Sequence, residues 1–131
     1  MESREIVHSI LIADDNPRMR SVLISMLHQE PDLRVVGEAA NGLEAISKAQ
    51  ELKPALILLD LSMPIMNGLE AARELTRILP STPILLLTSH ALDGLREAAL
   101  AAGVRAVHSK DARDVIQELV LNIRALVANA A

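Results

Sequence analysis

The chain has 131 residues, which is enough for one domain of ordinary size and too short for two. It has no aromatic residue, no cysteine and a net charge of -4. These features argue against direct nucleic-acid binding and exclude disulfides and thiolate sites. The apolar runs are too short to span a membrane and the first residues make a poor signal peptide, so we expect a cytoplasmic protein without membrane contacts.

Short apolar segments alternate with longer amphipathic segments along the whole chain. In chain order, we predict a strand at Ile10–Ala13, a helix opened by Asn16 and Pro17, an edge strand at Leu33–Ala39, a helix at Gly42–Leu52 and a strand at Ala55–Leu59. There follow a helix at Gly68–Leu79, a strand at Pro83–Leu87, a helix at about Leu92–Ala102 ending at Gly103, a short strand at Ala106–His108 and a last helix after Asp111. Unbroken apolar runs are typical of strands covered on both faces of a parallel sheet.

The helices are predicted from apolar residues that recur at helical spacing. In the first helix these are Met19, Val22, Leu23, Met26 and Leu27, and in the last they are Val115, Ile116, Leu119, Val120, Ile123 and Val127. Asn16 is a predicted N-cap and Pro17 the first helical residue. The sequence Asn-Gly-Leu-Glu-Ala, which starts at Asn41 and again at Asn67, is interpreted as a shared helix-start signal resembling a capping box.

Strict alternation of strands and helices predicts an α/β fold, with a doubly wound parallel sheet of five strands and five helices in one domain, 1–131. In such sheets, ligands bind beyond the carboxyl ends of the strands. The first strand is followed by Asp14 and Asp15, the third by Asp60, the fourth by Thr88 and the fifth by Lys110. We therefore expect three carboxylates, a hydroxyl and an ammonium group at one edge of the sheet.

Three carboxylates that share one cleft repel one another. At about 4 Å and an effective dielectric constant near 20, each close pair costs roughly 4 kcal/mol. A hard divalent cation relieves this repulsion, and Mg²⁺ prefers carboxylate oxygens together with water and phosphate. The charge set suits an incoming phosphoryl group, with Asp60 as the nucleophile that forms an acyl phosphate. Taken singly, each residue is also consistent with an ordinary capping, strand or surface position.

Four segments together resemble the receiver domain of two-component response regulators, over essentially the full length of the chain. They are ILIADDNP at Ile10–Pro17, LILLDLSMPIMNGLEA at Leu56–Ala71, ILLLTSHA at Ile84–Ala91 and VHSKD at Val107–Asp111. The segments LSMPIMNGLEA and SKD are most similar to receivers of the NarL/FixJ type. The resemblance implies a flavodoxin-like sheet of strand order 2-1-3-4-5 and a phosphoprotein of a two-component system or phosphorelay.

The resemblance also implies roles for the residues of the predicted site. Asp60 would accept a phosphoryl group from the phosphohistidine of a sensor histidine kinase or from a phosphotransfer protein. Asp15, Asp60 and the backbone carbonyl of Ser62 would bind Mg²⁺, with Asp14 acting mostly through water. Such a chain is a signalling module and not an enzyme that turns over an external substrate.

Two more residues would carry the conformational response. Lys110 would pair with the phosphoryl oxygens, and the hydroxyl of Thr88 would turn toward them and draw in the loop after the fourth strand. The output would pass to a partner protein, to an output domain, or to a homodimer formed through the fourth helix, fifth strand and fifth helix. Ser62 and His90 match positions that tune the lifetime of the phosphoryl group in this family.

The chain departs from the family pattern near the fifth strand. Val107 stands where many receivers carry a Tyr or Phe whose ring turns inward, so the relay from Thr88 lacks its usual partner. His108 is interpreted as facing solvent or packing on the fifth helix, in preference to the alternative that it replaces the missing ring as a polar switch element. A proline often follows the family's lysine, but here Asp111 follows it. We predict a trans bond before Asp111, with Asp111 capping the last helix, because a cis bond to a non-proline residue costs about 3 kcal/mol.

Other interpretations remain open at this point. Met63, Ile65 and Met66 are interpreted either as a hydrophobic patch for partner docking or as residues that pack on the first helix. An Mg²⁺-dependent phosphohydrolase of similar architecture usually has a second acid two residues beyond its nucleophile, where this chain has Ser62. A pseudo-receiver would bind a partner without phosphorylation, and the complete set of polar residues argues against it.

Overall fold

The structure, a computed structural model, describes residues 6–89, 93–110 and 115–129. Within these ranges five strands alternate with five helices. They are β1 (His8–Ala13), α1 (Pro17–Leu27), β2 (Leu33–Ala39), α2 (Gly42–Leu52), β3 (Leu56–Asp60), α3 (Gly68–Ile78), β4 (Ile84–Thr88), α4 (Leu95–Ala101), β5 (Ala106–Ser109) and α5 (Val115–Asn129). All strand pairs are parallel and the order is β2-β1-β3-β4-β5, which confirms the predicted doubly wound, flavodoxin-like sheet.

The strands alternate their apolar side chains between two core layers, because successive residues of a strand face opposite sides of a sheet. One layer lies under α1 and α5 and contains Ile10, Ile12, Leu56, Leu58, Leu85 and Leu87. The other lies under α2, α3 and α4 and contains Leu11, Ala13, Ile57, Leu59, Ile84 and Leu86. The central strands β3 and β4 are buried along their whole length, as their unbroken apolar sequences predict.

Two predicted strand boundaries move in a way that matters for the site. The strands predicted to end at Leu59 and Leu87 each extend one residue further, so that Asp60 and Thr88 are the last residues of β3 and β4. Asp60 pairs with Leu87, and Thr88 pairs with Ser109 of β5. The sheet's own hydrogen-bond ladder therefore fixes the backbone of both polar residues.

The helix ends follow the predicted signals with small corrections. The side chain of Asn16 accepts hydrogen bonds from the backbone N–H groups of Arg18 (2.9 Å) and Met19 (3.4 Å), and Pro17 opens α1. Helix α4 is shorter than predicted, starting at Leu95, and Gly103 follows it with a φ of 94°. The predicted cap by Asp111 and the trans bond before it lie outside the described residues.

No described helix is both long enough and apolar enough to cross a membrane.

Candidate functional site

Three carboxylates meet at the carboxyl edge of the sheet, as predicted. Asp14 and Asp15 follow β1 and Asp60 ends β3, and one ligand oxygen of each lies within 4.8 Å of those of the other two. Asp14 and Asp60 are buried, with 1% and 4% of their surface exposed, whereas Asp15 is exposed. The cluster is therefore closed at its base and open to solvent on the side of Asp15.

The ammonium group of Lys110 lies between the two buried carboxylates. Its Nζ is 2.8 Å from Oδ2 of Asp14 and 3.0 Å from Oδ1 of Asp60. The backbone N–H of Lys110 donates to the carbonyl of Thr88 at 2.8 Å, so the residue is anchored to the end of β4. One fixed positive charge thus faces two buried negative charges, which confirms the sequence expectation that these side chains meet.

The pKa values of these groups respond to burial and to the ion pairs. Burial raises the pKa of the Asp60 carboxyl above its ordinary value, and the charge of Asp14 adds to this, although the hydrogen bond from Lys110 opposes it. Burial alone would lower the pKa of Lys110, but the hydrogen bonds that it donates to Asp14 and Asp60 outweigh burial and raise it. The site therefore keeps Lys110 charged and holds more negative charge than one lysine compensates.

The donor set fits a hard divalent cation. Carboxylate oxygens are the protein ligands that Mg²⁺ prefers, and it usually keeps several waters, which an open side allows. Asp14, Asp15 and Asp60 bring oxygens close enough together to share one ion, and Asp15 lies on the solvent side. A divalent charge at this point would offset the repulsion that Lys110 leaves uncompensated.

Asp14 is fixed on all sides by hydrogen bonds. Its Oδ1 accepts from the backbone N–H of Asn16 at 2.9 Å, while its Oδ2 accepts from Lys110. Its backbone N–H donates to the carbonyl of Ala39 at 2.9 Å, and its own carbonyl accepts from Nη1 of Arg20 at 2.6 Å. Sequence reasoning did not single out Arg20, because a contact with a backbone carbonyl has no sequence pattern of its own.

The loop after Asp60 is held tightly against the end of β3. A Cβ atom on Gly68 would lie 2.3 Å from the carbonyl oxygen of Asp60, so any other residue here would force the backbone to shift. The predicted capping box is present at the start of α3: the side chain of Asn67 accepts from the N–H of Glu70 at 2.9 Å, and the Glu70 carboxylate accepts from the N–H of Asn67 at 3.2 Å. Helix α3 therefore starts at a fixed position beside the phosphoacceptor candidate.

The hydrophobic patch predicted in this loop is wrong for two of its three residues. Met63 is buried in the core layer under α2, α3 and α4, and Met66 is half-buried against the same layer. Only Ile65 is exposed, at 76%, and its φ of 70° is in the left-handed region that a β-branched residue rarely adopts. Neither predicted alternative holds, since the methionines pack away from the first helix.

Strand β5 carries the departures from the family pattern. Val107 is half-buried and packs against the layer under α2, α3 and α4. His108 points the other way and is buried with its Nε2 against Nδ2 of Asn122 on α5, which confirms that it packs on the fifth helix. Burial lowers the pKa of His108, although the charge of Glu118 opposes this. Thr88 is buried at the end of β4.

Known proteins share both the sequence pattern and the fold. The sequence profile of the response regulator receiver domain matches residues 10–122. The uncharacterized transcriptional regulatory protein YhcZ of Bacillus subtilis is 42% identical over 102 residues, which cover 78% of this chain and 48% of that protein. The chain spans less than half the length of this and the other first curated relatives it matches.

Solved receiver structures superimpose over nearly the whole chain. The response regulator domain of Thermotoga maritima CheB matches with a TM-score of 0.87 and 35% identity, covering 93% of this chain and 97% of that one. The signal receiver domain of the response regulator NarL from Mycobacterium tuberculosis matches with a TM-score of 0.82 and 30% identity, covering 92% and 98%. The chain belongs to the response regulator receiver domain family of two-component signalling.

Proposed function

We propose that this receiver works as a phosphoacceptor, with the carboxylate of Asp60 as the acceptor group. The single observation that carries the proposal is the position of Asp60. It ends a fully buried strand, and its Oδ1 is 3.0 Å from the ammonium of Lys110. One of its carboxylate oxygens also lies within 4.8 Å of an oxygen of Asp14 and of Asp15. A carboxylate held this firmly beside a fixed positive charge is placed to attack a phosphorus atom and to have the transferred charge stabilised.

The donor would be the phosphohistidine of a sensor histidine kinase or of a phosphotransfer protein. An oxygen of Asp60 forms the new P–O bond while the P–N bond to the imidazole breaks, and the bonding electrons return to the ring, which then takes up a proton. Lys110, already 3.0 Å from Asp60, can follow the charge onto the phosphoryl oxygens. The reaction needs little further chemistry from the protein, since phosphoryl transfer depends mainly on positioning and electrostatics.

Asp14, Asp15 and Asp60, together with the backbone carbonyl of Ser62, would hold Mg²⁺. When bound, Mg²⁺ supplies positive charge that neutralises the phosphoryl oxygens as charge develops on them. The close approach of the three carboxylates supports this assignment, because without added positive charge they repel one another.

The response to phosphorylation would begin at Thr88. Its backbone is tied to Lys110, which places both residues at one junction between β4 and β5. A hydrogen bond from the Thr88 hydroxyl to the phosphoryl group would shift the end of β4 and the loop that follows. The output would be a partner protein, an output domain, or a homodimer through α4, β5 and α5, with Val107 taking part by packing alone.

The experiment that tests the proposal is phosphorylation with a small-molecule donor. The protein is incubated with phosphoramidate or acetyl phosphate and Mg²⁺, and its intact mass is measured. We expect a gain of one phosphoryl group that stops at one per chain, and no gain in Asp60→Asn, whose amide is a close steric match. A gain that survives in Asp60→Asn, or none in the unmodified chain, contradicts the proposal. Steady turnover of a phosphate ester would instead identify a phosphohydrolase.

A further inference from the structure

Arg20 links the acidic cluster to two other elements of the fold. It lies in the first turns of α1, and 18% of its side chain is exposed. Its Nη1 donates to the backbone carbonyl of Asp14 at 2.6 Å, and its Nε donates to Oε1 of Glu38 in β2 at 3.0 Å. The carbonyl of Glu38 in turn accepts from Nζ of Lys48 in α2. The guanidinium group thus ties α1 and β2 to the segment that carries the acids.

The contact with Asp14 is significant because of which peptide it fixes. A peptide unit is planar, so holding the carbonyl of Asp14 also sets the direction of the N–H and Cα of Asp15. The other side of Asp14 is already fixed, since its backbone N–H donates to Ala39. Asp15 is exposed at the open side of the cluster, so its placement depends on the backbone that leads to it.

The charge of Arg20 and its contact with the carbonyl of Asp14 have opposite effects on the affinity of the site for a divalent cation. A guanidinium group close to a metal site repels a divalent cation, so loss of its charge alone would strengthen metal binding. Loss of the carbonyl contact would weaken metal binding, because the Asp15 carboxylate would have to be ordered at the moment the metal binds. The sign of the change in affinity therefore separates the two roles.

We propose that Arg20 is a positioning residue for the metal site, acting through the Asp14–Asp15 peptide unit. The inference rests on the proposed use of Mg²⁺ and deepens it by adding a residue that touches neither the metal nor the phosphoryl group. Arginine suits this position because its planar fork can hold a carbonyl and a carboxylate at the same time, which the single ammonium of lysine does not.

The test is a calorimetric titration with MgCl₂ alone, without phosphoryl donor. We expect Arg20→Ala to weaken Mg²⁺ binding roughly tenfold, the low end of the effect of groups that orient metal ligands. Arg20→Lys keeps the charge and should also weaken binding, by a smaller factor. In both variants, the rate of phosphorylation by phosphoramidate should recover at saturating Mg²⁺, because the metal itself then orders Asp15.

The matched control is Glu38→Gln. It breaks the same ion pair between α1 and β2 but leaves the contact between Arg20 and Asp14, so Mg²⁺ affinity should stay within about twofold of the unmodified chain. Circular dichroism checks that every variant is folded. If Arg20→Ala does not fold, Arg20→Lys replaces it in the comparison with Glu38→Gln. Unchanged or tighter Mg²⁺ binding in the Arg20 variant, or equal weakening in Glu38→Gln, would overturn the proposal. Because the calorimetric titration contains no donor, a failure to phosphorylate Asp60 would not be confused with a change in Mg²⁺ affinity.

Discussion

Two clusters at opposite edges of the sheet each place one cation between two carboxylates. At the carboxyl edge Lys110 lies between Asp14 and Asp60, with all three side chains largely buried. At the amino edge Arg124 of α5 contacts Oε1 of Glu30 at 2.7 Å and both carboxylate oxygens of Asp32 at 2.8 Å. The side chains of this second cluster are about one-third exposed.

The two clusters shift the pKa of their aspartates in opposite directions. The hydrogen bonds from Arg124 lower the pKa of Asp32 and outweigh the opposing effect of burial. Burial raises the pKa of Asp60 in spite of its hydrogen bond from Lys110. The ion pairs therefore favour the ionised carboxylate of Asp32, which is solvated. Burial makes the ionised carboxylate of Asp60 unfavourable in spite of its ion pair. A divalent cation bound at the buried cluster would offset this unfavourable negative charge.

The largest expected effect is that of removing the cation from each cluster. Lys110→Met should lower the free energy of unfolding by about 3 kcal/mol in the absence of Mg²⁺, because two buried carboxylates lose their shared partner. It should also abolish phosphorylation of Asp60. Arg124→Met removes a partly exposed cation and should cost much less. Urea unfolding followed by circular dichroism measures both, since the chain has no Trp or Tyr for fluorescence. Equal losses would contradict the contrast between the clusters.

The buried cluster also depends on close backbone packing. Gly68→Ala places a methyl group against the carbonyl of Asp60, and should cost about 2 kcal/mol and slow phosphorylation. Gly94→Ala is the matched control: its φ of 76° is unfavourable for alanine, but the added atom meets nothing within 4 Å. It should cost about 1 kcal/mol and leave phosphorylation unchanged. A smaller loss for Gly68→Ala than for Gly94→Ala would show that the loop can give way.

Replacing the aspartates by asparagine should change stability in opposite directions. Asp60→Asn removes one buried negative charge that repels Asp14, and should raise the free energy of unfolding at pH 7 by about 1 kcal/mol without Mg²⁺. Asp32→Asn weakens a solvated pair, and should lower it by about 0.5 kcal/mol. Urea titrations at low ionic strength detect both changes. Destabilisation by Asp60→Asn would mean that its ion pair with Lys110 outweighs burial.

The smallest effects are the pH dependences of these differences. The raised pKa of Asp60 means that the folded state holds its proton more firmly than the unfolded chain. The stability that Asp60 contributes is therefore present below its ordinary pKa of 3.8 and lost as pH rises through its folded value. The advantage of Asp60→Asn should grow on going from pH 3 to pH 7.

Asp32 should show the reverse dependence. Because its pKa is lowered in the folded state, its stabilising contribution is present above 3.8 and is lost as pH falls through the folded value. The cost of Asp32→Asn should shrink on going from pH 7 to pH 3. Stability curves of the two variants against the unmodified chain, measured over this range, check both slopes, and parallel curves would contradict the account.

The sequence predicted the fold because apolar runs and helix caps carry local information. Leu56–Leu59 specifies a buried strand, and a parallel sheet then brings Asp60 to the same edge as Asp14. Contacts that depend on tertiary packing were not predictable in this way. The burial of Met63 under α2, α3 and α4 and the bond from Arg20 to a backbone carbonyl follow from how the loops close over the sheet.

The central claim is that the Asp60 carboxylate becomes an acyl phosphate. Borohydride reduction converts an aspartyl phosphate to homoserine, which marks the acceptor in the unmodified chain without any substitution. After incubation with phosphoramidate and Mg²⁺, reduction and peptide mass mapping, we predict homoserine at position 60, and none when Mg²⁺ is chelated beforehand. Homoserine at Asp14 or Asp15, or at none of the three positions, would contradict the account.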